Sequence, residues 1–486
     1  MRLISDQNSA FRKINSNQHI YVSCIVAICL ASAFWAPLGY ARATTAVGSV
    51  LLFLIDSKRP RNTAMISAVL LLSVFGVSFF SIVPSSFNLI NDYCILMFDY
   101  NHNVKCWWRD AGLTWAPINI PIYIGSLAER LILIFSAFLM LGHFFTRFIK
   151  ERNIAKSKPP LIHVPLIHLF AMSASITTVM LILHFVAQGS EIMGFARTIL
   201  YPVTILFGLI IFCHLLDKKN NKLMGYATIF YIVVVFAIMS EARFSIFIMI
   251  SLFLLISYKK SASYSALLKL GFLSIVFGLM IVLVVQFIRY PEAVARYSKP
   301  STSIENSSFN WDWFFSKLYW KVIYRQIETG SCLNSVVDQH WQQESALRDQ
   351  LFWLEALVPR ALWPEKPTLS LGKMYSLLYC GMPNVNNGHS SSITLLGEPI
   401  IKGGALGLYV HGGILIIGLT VFSLVARRYG DSGAVVCLSM LPWWINLEQH
   451  FGLYVANLVK FGLVIVGTYI LILLVDKYVS TRFEHL

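Results

Sequence analysis

The residues in this chain best suited to chemistry are cations set among prolines, together with a few isolated acids and histidines. In Leu357-Val358-Pro359-Arg360-Ala361-Leu362-Trp363-Pro364-Glu365-Lys366-Pro367, the prolines fix φ and clamp Arg360, Trp363, Glu365 and Lys366 into a short irregular turn. Further cations are Arg243 in Ser240-Glu241-Ala242-Arg243, Arg289 in Gln286-Phe287-Ile288-Arg289-Tyr290-Pro291, and Arg325. A guanidinium grips phosphate at two points, so a set of them suits a phosphorylated ligand. The competing reading is a local ion pair, Glu241 with Arg243 or Glu328 with Arg325, or a snorkelling interface anchor. For proton transfer the preferred candidate is Glu398, in Ser392-Ile393-Thr394-Leu395-Leu396-Gly397-Glu398-Pro399, where a poorly solvated carboxylate suits taking a proton from a hydroxyl. His389 and His450 are its rivals, although an isolated histidine near an interface is more often a hydrogen-bonded structural residue.

The elements that must position these residues are apolar. Crossing about 30 Å of hydrocarbon takes about 20 helical residues, and about twelve such runs can be marked: 20–37, 41–56, 63–83, 121–146, 161–186, 196–216, 223–240, 243–258, 264–288, 400–425, 433–447 and 455–475. With 56% hydrophobic residues, 13% charged residues and a mean hydropathy of +0.64, the chain lies far outside the averages for soluble domains. The first run is too long and too poorly terminated for a cleaved signal peptide. The expectation is an all-α polytopic integral membrane protein with a cytoplasmic N-terminus at 1–19, spans 1–9 over 20–288, a large and partly helical outer loop at 289–399, spans 10–12 over 400–475, and a cytoplasmic C-terminus at 476–486.

Sidedness follows from the basic residues. Arg12 and Lys13, Lys58 to Arg61, Arg147 to Lys158, Lys218 to Lys222, Lys259 and Lys260, Arg427 and Arg428, and Lys477 and Arg482 fall in every second loop. Those loops are cytoplasmic by the positive-inside rule, so the formal charge of +15 reports topology rather than nucleic-acid binding. Arg243, Arg289, Arg325, Arg360 and Lys366 are then on the opposite, outer face, against the rule. Cations held at the outer mouth of a membrane bundle suit an anion that arrives in the lipid, such as a lipid-linked pyrophosphate.

Other features read as ordinary. Gly403, Gly407, Gly412 and Gly413 open the tenth span as close-packing residues. The aromatic run from Trp311 to Tyr324 reads as an amphipathic helix in the outer interface. Cys94 and Cys106 share a smaller outer loop and Cys332 and Cys380 the larger one, so two disulfides can form if the outside is oxidising; four unpaired thiols are the alternative. No P-loop, CxxC pair or histidine cluster at metal spacing is present, and no acid lies in the first outer loop, Pro37 to Arg42; neither a metal nor another cofactor is expected.

The layout, with Ser240-Glu241-Ala242-Arg243 heading a span, Val358 to Pro367 in the loop, and Leu396-Gly397-Glu398 before a glycine-rich span, resembles the O-antigen polymerase (Wzy) family of oligosaccharide repeat-unit polymerases. The resemblance implies a GT-C-like, metal-independent glycosyltransferase of the bacterial inner membrane, acting on its periplasmic side and moving a growing glycan from undecaprenyl pyrophosphate onto the next lipid-linked repeat unit. It implies that Arg243, Arg289 and Arg360 hold the pyrophosphate, with Arg325, Lys366, Trp363 and His389 as further substrate contacts. The matched patterns contain no histidine, so the family's base does not carry over and Glu398 stands on its own chemistry. The expected partners are the undecaprenyl-pyrophosphate-linked oligosaccharides, the bilayer and a chain-length regulator protein, with no nucleic acid. An O-antigen ligase would share this architecture and differ in acceptor. A flippase or transporter is the rival from another class, though the chain shows no repeated halves.

Overall fold

The computed structural model describes residues 20–57, 126–148, 166–186, 191–217, 222–238, 242–260, 325–343, 351–358, 372–380, 393–446 and 449–483, with a few isolated positions between them. Within these the chain forms α1 (Ile20–Trp35), α2 (Leu38–Ser57), α3 (Ser126–Phe148), α4 (Leu166–Val186), α5 (Glu191–Asp217), α6 (Lys222–Ile238) and α7 (Ala242–Lys260). It continues as α8 (Arg325–His340), α9 (Phe352–Leu357), α10 (Gly372–Tyr379), α11 (Thr394–Arg428), α12 (Gly430–Trp444) and α13 (Phe451–Phe483). No strand occurs among the described residues.

These segments are helical because a backbone in hydrocarbon must satisfy its own hydrogen bonds, and an apolar run of this length does so within itself. Among the described residues, four helices are long and apolar enough to cross a membrane: Ile167–Val186, Ala196–Leu216, Thr394–Ala426 and Phe451–Tyr478. Ile20–Trp35 and Ser245–Ile256 are shorter apolar helices. The protein is therefore an α-helical, multi-pass membrane protein. Of the predicted spans, 63–83 lies outside the described residues and 264–288 almost wholly so, as does the aromatic run 311–324; each of the others coincides with a helix.

The core runs along α5. Its span is 78% buried, against 28% for that of α4, so α5 is the hub and α4 a peripheral helix. Around α5 pack α4, α6, α7, α12 and α13. Ser251 Oγ donates to the Leu438 carbonyl at 3.0 Å, tying α7 to α12. Trp443 stacks on Phe461 at 4.3 Å and Phe422 on Trp444 at 5.3 Å, locking α11, α12 and α13 together. The outward faces of α4 and α13 are apolar, with Ile182, Phe185, Leu463, Leu471 and Leu474 exposed, which a bilayer covers and water would not.

Two connections explain how the chain turns. Gly430, at φ +55°, occupies the left-handed position that ends α11 and admits α12 at once. Between α1 and α2, Arg130 reaches across from α3 and donates to the Ala33, Phe34 and Ala36 carbonyls at 3.1, 3.0 and 3.0 Å, satisfying acceptors that a helix end leaves open.

Candidate functional site

The glycines of the tenth predicted span do more than pack. α11 begins at Thr394, ahead of the predicted start, and it is interrupted at Gly403 and Gly404, whose φ/ψ are non-helical. Gly404 has φ +53°, and a Cβ there would lie 2.6 Å from the Gln343 carbonyl oxygen, 2.8 Å from that of Trp341 and 3.1 Å from that of His340. The C-terminal end of α8 thus presses its carbonyls onto the break. Only glycine combines this φ with this approach. The result is a short half-helix, Thr394 to Lys402, projecting beyond the continuous part of α11.

Glu398 stands in the middle of that half-helix. The local backbone is strained: Thr394, a β-branched residue, sits at φ +63°, and its Oγ1 accepts from the Leu396 N–H at 3.2 Å. Gly397 lets Ile393 fold back, since a Cβ there would meet that of Ile393 at 2.6 Å. Glu398 itself is 4% exposed. Its Oε2 accepts the backbone N–H of Gly452 at 2.7 Å. Gly452 lies in the first turn of α13, where the amides are open and the helix dipole favours a negative charge. A Cβ at Gly452 would lie 3.4 Å from that same oxygen, in ordinary contact with the carboxylate.

Two side chains complete the surroundings. Tyr375 of α10 hydrogen-bonds the Glu398 carboxylate; burial first, and the facing carboxylate second, push its phenol well above the usual range, so it remains a neutral donor. Lys402, one turn along the half-helix, acts on Glu398 electrostatically. Beneath lies an aromatic floor: His411 donates from Nδ1 to the Gly407 carbonyl at 2.7 Å, and its ring meets Phe451 edge-on at 4.5 Å and Phe352 at 5.1 Å. His450, also buried, sets its ring 6.0 Å from that of Tyr375.

A polar chain leads outward from this point. The rings of Tyr375 and Tyr379 are 6.1 Å apart, and the Tyr379 hydroxyl lies 2.9 Å from His340 Nε2. His340 Nδ1 lies 2.9 Å from Gln343 Oε1, so the imidazole bridges Tyr379 and Gln343. The Cys332–Cys380 disulfide joins α8 to the residue after α10 and so fixes the two helices that carry this chain. Of the two alternatives that the sequence left open for Cys332 and Cys380, the paired one is present; Cys94 and Cys106 lie outside the described residues.

A second charged group lies at the same end of the bundle. α3 runs alongside α11, with Gly142 against Ile416 and Phe135 against Gly412, and α8 touches both helices. At the start of α3, Glu129 is 2% exposed and takes Arg42 in a two-point pair, Nε to Oε1 and Nη2 to Oε2, the latter at 2.8 Å. The segment predicted as the first outer loop, Pro37 to Arg42, has no acid in its own sequence; Arg42, which lies in α2, takes its partner from α3.

Among the residues singled out from the sequence, Glu398 has its side chain described and buried, and Trp363 is described as half-buried. Arg243 is the second residue of α7 and Arg325 the first of α8, both with side chains outside the described set. Arg289, Arg360, Lys366 and His389 lie outside the described residues. The sequence reading passed over Tyr375, Gly452, Arg42, Glu129 and Arg130. For Glu129 and Arg130 a signal existed, since an acid and an arginine at the head of an apolar span are functional or structural by default. For Tyr375 and Gly452, ordinary residue types far from Glu398 in sequence, there was none. Compared with known proteins, the chain matches no family model, no curated protein and no solved structure.

Proposed function

We propose that this protein is a membrane glycosyltransferase that polymerises undecaprenyl-pyrophosphate-linked oligosaccharide repeat units at the outer face of the bacterial inner membrane. The observation that carries the reading is Glu398: a single carboxylate withdrawn from water, set on a strained half-helix where the loop helices meet the ends of the spans. Such a group is suited to take a proton from a sugar hydroxyl. In the proposed step the acceptor hydroxyl oxygen attacks the anomeric carbon of the donor glycan, and its proton passes to Glu398. The bond from the anomeric carbon to the pyrophosphate oxygen breaks, and undecaprenyl pyrophosphate leaves with the electron pair. Arg243, Arg289 and Arg360 hold that pyrophosphate and stabilise its charge as it departs, with Arg325, Lys366, Trp363 and His389 contacting the substrates. No metal takes part.

The test is a gene deletion examined by lipopolysaccharide electrophoresis, with complementation by the full chain. A polymerase deletion leaves core capped by a single repeat unit, and the ladder returns on complementation. Bare core with polymer accumulating on the lipid carrier would instead make the protein the ligase. A second reading, a lipid-oligosaccharide flippase, draws on one observation: the break of α11 beside ionisable groups is the kind of discontinuous helix that transporters use. Bare core with single repeat units held on the lipid carrier at the cytoplasmic side would favour it.

A further inference from the structure

The loop helices α9 and α10 have their polarity reversed relative to a helix that borders water. α10 turns Tyr375 and Ser376 inward, toward the Glu398 site, and turns Met374, Leu377 and Leu378 outward. These last three have the spacing of one helical stripe. α9 and the residues that flank it do the same: Ala356 is buried and Phe352 packs inward against His411 and Phe451, while Leu354 and the flanking Leu351 and Val358 stand out. The six outward residues are 36% to 51% exposed. Two segments with apolar stripes turned outward are not what a loop standing in water presents.

Their depth decides what covers them. α9 lies against α13, and the Phe352 ring comes within 3.6 Å of the Cβ position of Gly452, in the first turn of a span that begins at Phe451. The same ring faces His411, which lies beyond the break of α11 and inside its continuous part. α9 is therefore level with the ends of two spans rather than above them. Glu355, exposed on the flank of the α9 stripe, marks the margin where such a helix meets head groups.

We infer that α9 and α10 lie in the bilayer leaflet at the Glu398 end of the bundle, with their outward stripes against acyl chains. The occupant of this surface is lipid hydrocarbon. The inference rests on burial, spacing and depth, and it stands whichever reaction the site performs.

Spin-label accessibility tests it. In the full chain, with Cys24, Cys29, Cys94, Cys106, Cys213 and Cys437 replaced by alanine and the disulfide kept, single cysteines at Leu354 and Leu378 are labelled with a nitroxide and reconstituted in phosphatidylglycerol–phosphatidylethanolamine vesicles. Labels at Ile417, in the middle of α11, and at Asp338, on the exposed side of α8, give the lipid and water references. Collision with oxygen exceeding collision with a water-soluble nickel chelate at both test positions, as at Ile417, is the expected result. A nickel-dominated profile like that of Asp338 overturns the inference, and so does low accessibility to both reagents, which would mean that another part of the chain covers the stripes. Labels at Leu351 and Leu377 repeat the measurement should either first variant fail to reconstitute.

Discussion

Glu398 has two duties that point in different directions, and substitutions can separate them. As an acceptor for the Gly452 N–H and the Tyr375 hydroxyl it ties the α11 half-helix to α13 and α10. As a base it must bind a proton during the reaction. Glutamine keeps the acceptor oxygen and loses the basicity, so Glu398→Gln is expected to leave the protein folded and inserted while lowering transfer by about 10²–10⁴-fold, the usual worth of a positioned base. The readout is the lipopolysaccharide ladder beside the amount of protein in the membrane; a full ladder would reduce Glu398 to a helix cap. Arg42 and Glu129 pose the complementary case. Removing the guanidinium strands a buried carboxylate, so Arg42→Ala should cost about 3 kcal/mol, near the low end for a buried pair because Arg42 is 29% exposed. Adding Glu129→Gln should restore most of it in thermal unfolding of the purified protein, and a double-variant loss equal to the sum of the two single losses would mean the pair is not coupled. At this scale the sequence exposes a residue whose type is unusual for its place, as with Glu398 ahead of Pro399 at the head of an apolar run. It does not expose partners such as Gly452 or Tyr375, because what makes them matter is a distance that the fold creates.

Among the elements, α11 shows how a local pattern acquires a meaning that only its neighbours supply. Its glycines are visible in the sequence, and small residues in a span suggest close packing. Gly412 behaves so, against Phe135. Gly404 instead breaks the helix, because the carbonyls at the end of α8 occupy the space a side chain would need. α8 is held in turn by the disulfide from its middle to the residue after α10, a contact between segments far apart in the chain. Gly404→Ala should therefore destabilise the protein by at least about 2 kcal/mol, combining an unfavourable φ with a collision against backbone. Gly413→Ala, with nothing within 4 Å of its Cβ position, should stay within about 0.5 kcal/mol of the parent. Thermal unfolding of both variants in detergent checks the pair, and equal behaviour would show that the break tolerates a side chain. α10 then acts as a wall with two faces, Tyr375 toward Glu398 and leucines away from it.

For the whole molecule, hydropathy makes the spans legible because the bilayer imposes one length and one polarity on each of them. Sidedness is legible only through the distribution of lysine and arginine, and it governs everything proposed for the site. The disulfide bears on it independently: Cys332 and Cys380 pair, while Cys24, Cys29, Cys213 and Cys437 remain thiols. A disulfide of this kind persists outside the reducing cytoplasm, so the proposed placement of α8, α10 and Glu398 on the outer face requires this bond to be oxidised in the cell. The bond closes a segment with a sequence separation of 48, worth about 4 kcal/mol in chain-entropy terms. Alkaline phosphatase fused after His340 should accordingly be active, and the same enzyme fused after Lys218 or at Leu486 inactive, since phosphatase folds only where its own disulfides form. In parallel, Cys332 and Cys380 of the unfused protein should resist maleimide until a reductant is added. An inactive fusion at His340 together with freely alkylated cysteines would place the Glu398 end of the bundle in the cytoplasm. The acceptor, the carrier and the arginines would then lie on opposite sides of the membrane, and no glycosyl transfer of the proposed kind could occur.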